Sequence, residues 1–385
     1  MATRIRAEVG NVAESPMVLI ATIAESMPGS LKLCYGESDM PTPEFICRAA
    51  DEATRAGHTF YTHTAGYSAL REAIAAKVFD LHGVTYRGSE VMSTVGASMA
   101  IFTAIRTCVG PGDNAVIISP TYAIFSNGVI LSGGEPRPVA LARDGARFRL
   151  DVDRVRAAID SRTRMLIVNS PGNPTGWVIS VDDQRALAEL AERHDLVILS
   201  DEVYERLVFD GPIAASMARV MDNERLIVVN SFSKTYNMTG WRLGWAQSSE
   251  RLIRAMYKAA EFITSNATAM VQQAGIVALR DGEPYIAELR AHYTARRDQV
   301  VTALGAIPGV SLPEPQGAFY AFPRIDGLVD STDFTARLVK ETGVAFAPGV
   351  GFGASGEGYI RMCFAASEQT VTEALARFTG FMSVR

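Results

Sequence analysis

From residue 91 to about residue 263, short apolar runs alternate with stretches of helical periodicity, and few architectures accept such a chain. The strand-like runs lie at 91–95, 115–119, 164–170, 196–201, 226–231 and 243–246. Helical patterns fall between several of them, at 97–108, 181–194 and 251–263. Crossovers of this kind join parallel strands, so the expected sheet is largely parallel and buried by helices on both faces. After residue 281 the pattern changes. A long helical stretch at 284–304 leads to strand-like runs at 319–322, 344–346 and 359–364, with helical patterns near 331–341 and 367–379. That reads as a smaller α+β unit.

Composition narrows the function. Of the 385 residues 48% are hydrophobic, enough for sizeable cores, and the formal charge is 37 − 42 = −5. Neither nucleic acid nor an anionic membrane is expected as a partner. Glu8 and Glu14 precede the apolar run at 17–24, unlike a secretory leader, and the four scattered cysteines suit buried thiols in a reducing compartment. A soluble, cytoplasmic protein is the expectation. His58 and His63 are five positions apart, not the four that would align them on a helix, so no metal site is expected. The sequence Gly351-Phe-Gly353-Ala-Ser-Gly356 has dinucleotide-fingerprint spacing but runs into a strand-like segment instead of a helix, and is read as a loop.

The segment richest in chemistry is Asn230-Ser-Phe-Ser-Lys234-Thr-Tyr-Asn-Met-Thr-Gly-Trp-Arg242. A lysine after a strand is usually a solvated charge. Here Ser231, Ser233 and Arg242 surround it with donors suited to phosphate oxygens, and a neutral lysine amine can condense with an aldehyde. Asp201 ends another strand-like run, where α/β sheets place ligands, although it also reads as a helix cap. Asn169-Ser-Pro-Gly-Asn173-Pro174 is dense in turn formers. Gly96-Ala97-Ser98 opens a helical pattern after a strand, a place where backbone N–H groups can meet an anion. Arg361 stands mid-strand, costly if buried unpaired and bland if exposed.

On these segments the chain resembles the class I/II aminotransferases, the fold-type I pyridoxal-phosphate enzymes, from about Gly36 to Arg361. The resemblance implies a large domain with a mostly parallel seven-stranded sheet sandwiched by helices, plus a smaller α+β domain. It implies boundaries of 1–44 for an N-terminal arm and part of the small domain, 45–283 for the cofactor domain and 284–385 for the small one. It implies pyridoxal 5′-phosphate held as a Schiff base on Lys234, with Asp201 at the ring nitrogen and Tyr204 and Asn173 at the phenolic oxygen. It implies that Tyr122 stacks on the ring, and that Gly96, Ala97, Ser98, Ser231, Ser233 and Arg242 form the phosphate cup. Substrate carboxylate would meet Arg361, Asn173 and the loop at Gly36. Tyr61 would reach the site of the other subunit in a homodimer. Cis bonds are implied before Pro174 and Pro120.

The implied reaction moves an amino group from an α-amino acid to a 2-oxo acid in ping-pong fashion. The same cofactor residues also suit a β-eliminating lyase or related synthase, and a non-catalytic regulatory module is a further alternative. The apolar stretch Ser15-Pro-Met-Val-Leu-Ile favours neutral or aromatic substrates over aspartate.

Overall fold

The computed structural model describes residues 5–384. Seven strands form the central sheet: β1 (Val91–Thr94), β2 (Asn114–Ser119), β3 (Glu135–Ala140), β4 (Thr163–Asn169), β5 (Val197–Asp201), β6 (Leu226–Ser231) and β7 (Gly244–Gln247). Their order is β1-β7-β6-β5-β4-β2-β3, and only β7 runs against its neighbours. The expected mostly parallel seven-stranded sheet is therefore present.

Strand side chains alternate between two cores, as the two-residue pleat requires. Ala115, Ile117, Ile167, Leu199 and Ile227 join one cluster. Val116, Ile118, Leu166, Ile198 and Val228 join the other. Burial on both faces explains why these strands read as continuous apolar runs. Helices cover the two faces. In chain order the helices include α1 (Pro16–Glu25), which packs against residues 331–348 instead of this sheet, then α2 (Glu44–Arg55), α3 (Ser68–His82), α4 (Gly96–Cys108), α5 (Ile124–Leu131), α6 (Val181–His194), α7 (Glu250–Thr264) and α8 (Ala269–Asp281). α4 and α7 bring Ile101, Ile105, Ile253 and Met256 to one core. α3, α6 and α8 bring Leu70, Ile74, Leu187, Leu190 and Ala274 to the other.

Helix α6 occupies the sequence-predicted span because its signals agree. Ser180 caps it by accepting from the Asp183 N–H, acids fill its first turn, and Arg193 and His194 end it. Edge strand β3 escaped the sequence reading because Pro136 and Pro138 argue against a strand. It has one neighbour only, which is where proline is tolerated.

Three further helices, α9 (Glu283–Gly305), α10 (Ser331–Thr342) and α11 (Glu368–Ser383), pack around a three-stranded antiparallel sheet. Its strands are β8 (Tyr320–Ala321), β9 (Ala347–Pro348) and β10 (Ile360–Cys363), with β10 in the middle. They enclose a third core that includes Phe319, Phe346, Phe364 and Phe378. Leu33 joins this core, and Leu31–Lys32 pairs with Val344–Ala345, tying the N-terminal segment to the C-terminal one. The glycines at 351–356 form 3₁₀ turns that lead into β10, as a loop should. Cis bonds precede Pro120 and Pro174, as expected, and also Pro171. No helix among the described residues is long and apolar enough to cross a membrane.

Candidate active site

Sheet register assembles the site. Asn169 and Asp201 are paired at the carboxyl ends of β4 and β5, and Gly244 of β7 faces both Ser231 and Thr94. The ends of parallel strands open into a crevice where ligands bind in open α/β sheets. Here the crevice is a cavity of about 840 Å³. Ala97, Ser98, Tyr122, Asn173, Asp201, Tyr204, Ser231, Ser233, Lys234, Arg242, Arg361 and Gly36 all line it. Residues up to 325 positions apart in sequence (36 and 361) are thereby brought together.

Lys234 rides on the single-turn helix Phe232–Thr235, which Ser231 caps by accepting the Ser233 N–H at 3.1 Å. Its Nζ donates to the Gly36 carbonyl at 2.5 Å. Burial pulls the Lys234 pKa down to about 8, and the Arg361 and Arg242 charges act in the same direction. An amine with that pKa is substantially neutral in mildly alkaline solution. Asp201 is buried, and its Oδ1 accepts the Val203 N–H at 3.2 Å. Burial pushes this carboxyl up to about 7. Among the described residues no cation lies within ion-pair distance of it. It is thus an acid waiting for a buried partner.

One wall is built for an anion. Ser231, Ser233, Arg242 and the start of α4 meet there. No side chain caps α4, which leaves its first-turn N–H groups as donors. Gly96 does not line the cavity; it backs the wall. Its φ is +72°, and a β-carbon there would meet the Arg242 guanidinium closer than any real contact allows. Only glycine lets Arg242 lie against the helix start.

Arg361 forms a second cationic point. It is buried, donates from Nη1 to Asn173 Oδ1 at 3.1 Å, and bonds the Cys34 carbonyl through Nη2. Its Nε has no partner, and the Tyr320 and Phe352 rings lie 4.7 and 4.9 Å from the guanidinium carbon. A buried guanidinium with an unspent donor and no carboxylate is arranged to take one from a ligand.

Two residues differ in placement from the rest. Tyr122 follows the cis bond at Pro120 and faces the cavity while 40% exposed. Tyr61 is 89% exposed and does not line this cavity. Sequence reasoning missed Tyr320, whose hydroxyl lies 2.7 Å from that of Tyr204. It also limits position 36, since a β-carbon there would come within 2.6 Å of the Tyr320 hydroxyl. Nothing local to either tyrosine signals this pairing across 116 positions.

An open α/β sheet whose carboxyl edge holds a partly buried amine, a buried acid and two cationic points defines a protein that takes a small anionic ligand. Residues 28–378 match the family described as aminotransferase class I and II. The chain is 37% identical to the aromatic-amino-acid aminotransferase 2 of Thermococcus litoralis and to an aspartate aminotransferase of Pyrococcus abyssi, each alignment covering 92% of both chains. Its fold superposes on an aspartate aminotransferase mutant of Thermus thermophilus with a TM-score of 0.92 at 34% identity, covering 98% of this chain and 100% of that one. The N-succinyldiaminopimelate aminotransferase of Mycobacterium tuberculosis gives 0.93 at 34% identity, with the same coverage. The chain belongs to the class I and II aminotransferases, and it is an enzyme of that kind.

Proposed function

We propose that the cavity holds pyridoxal 5′-phosphate and transaminates neutral, largely apolar α-amino acids. The observation that carries the cofactor reading is the meeting, in one cavity, of the Lys234 amine and a buried aspartate, Asp201, that has no ion-pair partner among the described residues. The Gly96–Arg242 cradle fits the phosphate, because Arg242 lies against the uncapped start of α4 beside Ser231 and Ser233, so a cation, hydroxyls and free N–H groups meet at one wall. When bound, the cofactor supplies an aldehyde carbon for the amino group and a ring that accepts electron density from the substrate Cα.

The chain's own residues then have separable tasks. Lys234 Nζ would hold the cofactor at its aldehyde carbon, and it is the base placed to move the proton at the substrate Cα. Asp201 keeps a proton on the ring nitrogen. Arg361, held by Asn173 and the Cys34 carbonyl, orients the substrate carboxylate. Ser231, Ser233, Arg242 and the first turn of α4 fix the phosphate. Tyr204, Asn173 and Tyr122, which line the cavity, would border the cofactor ring. Residues 45–283 form the cofactor domain, with 284–385 and part of 1–44 as the smaller one; the core around Phe319, Phe346, Phe364 and Phe378 draws most of its members from 284–385 and also takes in Leu33, Val203, Tyr204 and Leu207.

Replacing Arg361 by alanine should lower kcat/KM for every amino donor by about 10²-fold or more, mostly through KM, because a buried charge partner is lost. Cofactor affinity should change less than threefold. Steady-state kinetics beside a cofactor titration checks this, and an unchanged KM would remove Arg361 from the substrate.

Substrate class follows from the far wall. Met17, Val18 and Ala21 of α1, Ile101 and Phe102 of α4, and Leu131 of α5 make it apolar. Among the described residues the cations that line the cavity are Lys234, Arg242 and Arg361, each already given to the cofactor or the substrate α-carboxylate, and the charge at the mouth is Glu25, which accepts from the Tyr35 hydroxyl at 2.7 Å. Among the described residues, a second carboxylate would meet no cation left unassigned and one acid. With pyruvate or 2-oxoglutarate as acceptor, leucine, methionine and phenylalanine should exceed aspartate in kcat/KM by about tenfold or more. Aspartate ahead of all three would overturn the substrate class. Ammonia released from amino acid alone, without acceptor, would favour a lyase instead.

The proposed unit is a homodimer in the cytoplasm. Phe60 and Tyr61 project from the surface, 80% and 89% exposed. A groove lined by Met40, Val95, Thr239, Trp241 and Arg242 adjoins the cavity, sharing Thr239 and Arg242 with it. An aromatic loop from a second copy seated there would approach the phosphate wall. The four free cysteines suit a reducing compartment.

A further inference from the structure

A buried polar chain runs from the end of α3 to the residue that precedes the lysine helix. His82, the last residue of α3, places Nε2 2.8 Å from Glu205 Oε2. Glu205 Oε1 accepts from Asn230 Nδ2 at 2.8 Å, and Asn230 Oδ1 accepts the Ser231 N–H at 2.8 Å. The Ser231 hydroxyl in turn meets the Leu243 carbonyl at 3.0 Å, Ser233 Oγ at 2.9 Å and the Ser233 N–H at 3.1 Å. Every member from Glu205 to Ser233 is buried.

The sheet does not need this chain. Strand β6 already pairs Asn230 and Ser231 with Trp245 and Gly244 of β7. Nor does Glu205 reach the ligand, since it is absent from the cavity lining. Yet a buried glutamate is costly unless it is held by donors. Its effect is directional. A carboxylate only accepts hydrogen bonds, so the Asn230 amide must turn its NH₂ toward Glu205 and its carbonyl toward Ser231. His82 occupies the other carboxylate oxygen. Burial works against a charged His82, but the hydrogen bond and charge of Glu205 outweigh it and raise its pKa. Glu202 adds to that attraction and Arg219 opposes it.

We propose that Glu205, held by His82, is a positioning residue: through the Asn230 amide it fixes Ser231, and with it the turn that presents Ser233 and Lys234 to the cavity. This rests on the cofactor reading given above. Neither Glu205 nor His82 touches the ligand; both act through Asn230.

The test compares Glu205→Ala, Glu205→Gln and Asn230→Ala with the wild-type chain. Two quantities are read: the dissociation constant of pyridoxal 5′-phosphate, from intrinsic fluorescence, and the pH midpoint of the visible absorption band of the loaded protein. Loss of a buried acceptor should raise the dissociation constant about tenfold or more in Glu205→Ala and Asn230→Ala and move the midpoint by about half a pH unit or more. Glu205→Gln keeps an acceptor for Asn230 and should stay within about threefold of wild type. Alanine variants that fold and match wild type in both readouts would overturn the proposal, as would Glu205→Gln losing as much as Glu205→Ala. Should neither alanine variant fold, Glu205→Gln decides alone: a loss within about threefold supports the relay and one of about tenfold refutes it. A wild-type chain that takes up no cofactor would instead refute the reading of the cavity, and the relay's role with it.

Discussion

Replacing Lys234 by alanine should leave a folded protein whose kcat is lower by about 10⁴-fold or more. The fold should tolerate the change because Lys234 makes one side-chain hydrogen bond, to the Gly36 carbonyl, and its turn is held by the Ser231 cap. The chemistry should not tolerate it, because one amine serves as tether and as base. Arginine should be equally inactive, since a guanidinium stays charged at any working pH. With the wild-type amine titrating at about 8, capture of pyridoxal 5′-phosphate should speed up as pH rises through 8. Borohydride reduction of the loaded chain, followed by peptide mass mapping, should place the cofactor on Lys234 in wild type and nowhere in the alanine variant. A label on another lysine, or an alanine variant within tenfold of wild-type kcat, would remove Lys234 from the reaction.

Much of this site was legible because it sits at the ends of strands that betray themselves. β2, β4, β5 and β6 are buried on both faces, so their apolar runs stand out, and each ends on a polar residue: Ser119, Asn169, Asp201, Ser231. The family pattern then supplied candidate roles for those residues. What remained hidden is what long-range packing creates. Tyr320 meets Tyr204 and crowds Gly36 only after β8 folds back over the sheet. The contact between His82 and Glu205 joins residues 123 positions apart, and neither neighbourhood hints at it. Helices α1 to α3 precede the alternation that defined the sheet, and so did not enter the strand count at all. Pro136 and Pro138 disguised β3, since a proline-bearing strand is recognisable only once its edge position is known.

Asp201→Asn should separate function from stability more cleanly than any other change. Asparagine is nearly isosteric and still accepts the Val203 N–H, so the end of β5 should keep its shape. It cannot be an anion, and the ring proton it should hold would lose its counter-charge, lowering kcat/KM by about 10³-fold. Stability of the ligand-free chain should move the other way. Burial raises the Asp201 pKa from 3.8 to about 7, so the folded chain holds this proton more tightly than the unfolded one does. The acid therefore destabilises the fold progressively as pH rises from 3.8 to about 7, and to a constant extent above that. The asparagine variant should match wild type in melting temperature below pH 4, exceed it increasingly up to pH 7, and keep its lead at pH 8. Saturating cofactor should shrink that lead, because only the carboxylate is stabilised by a cation in the cavity. Melting curves at four pH values, with and without pyridoxal 5′-phosphate, read all of this. A wild-type chain as stable as the variant at pH 8 without cofactor would mean that Asp201 already has a partner, and that its charge is not reserved for the ring.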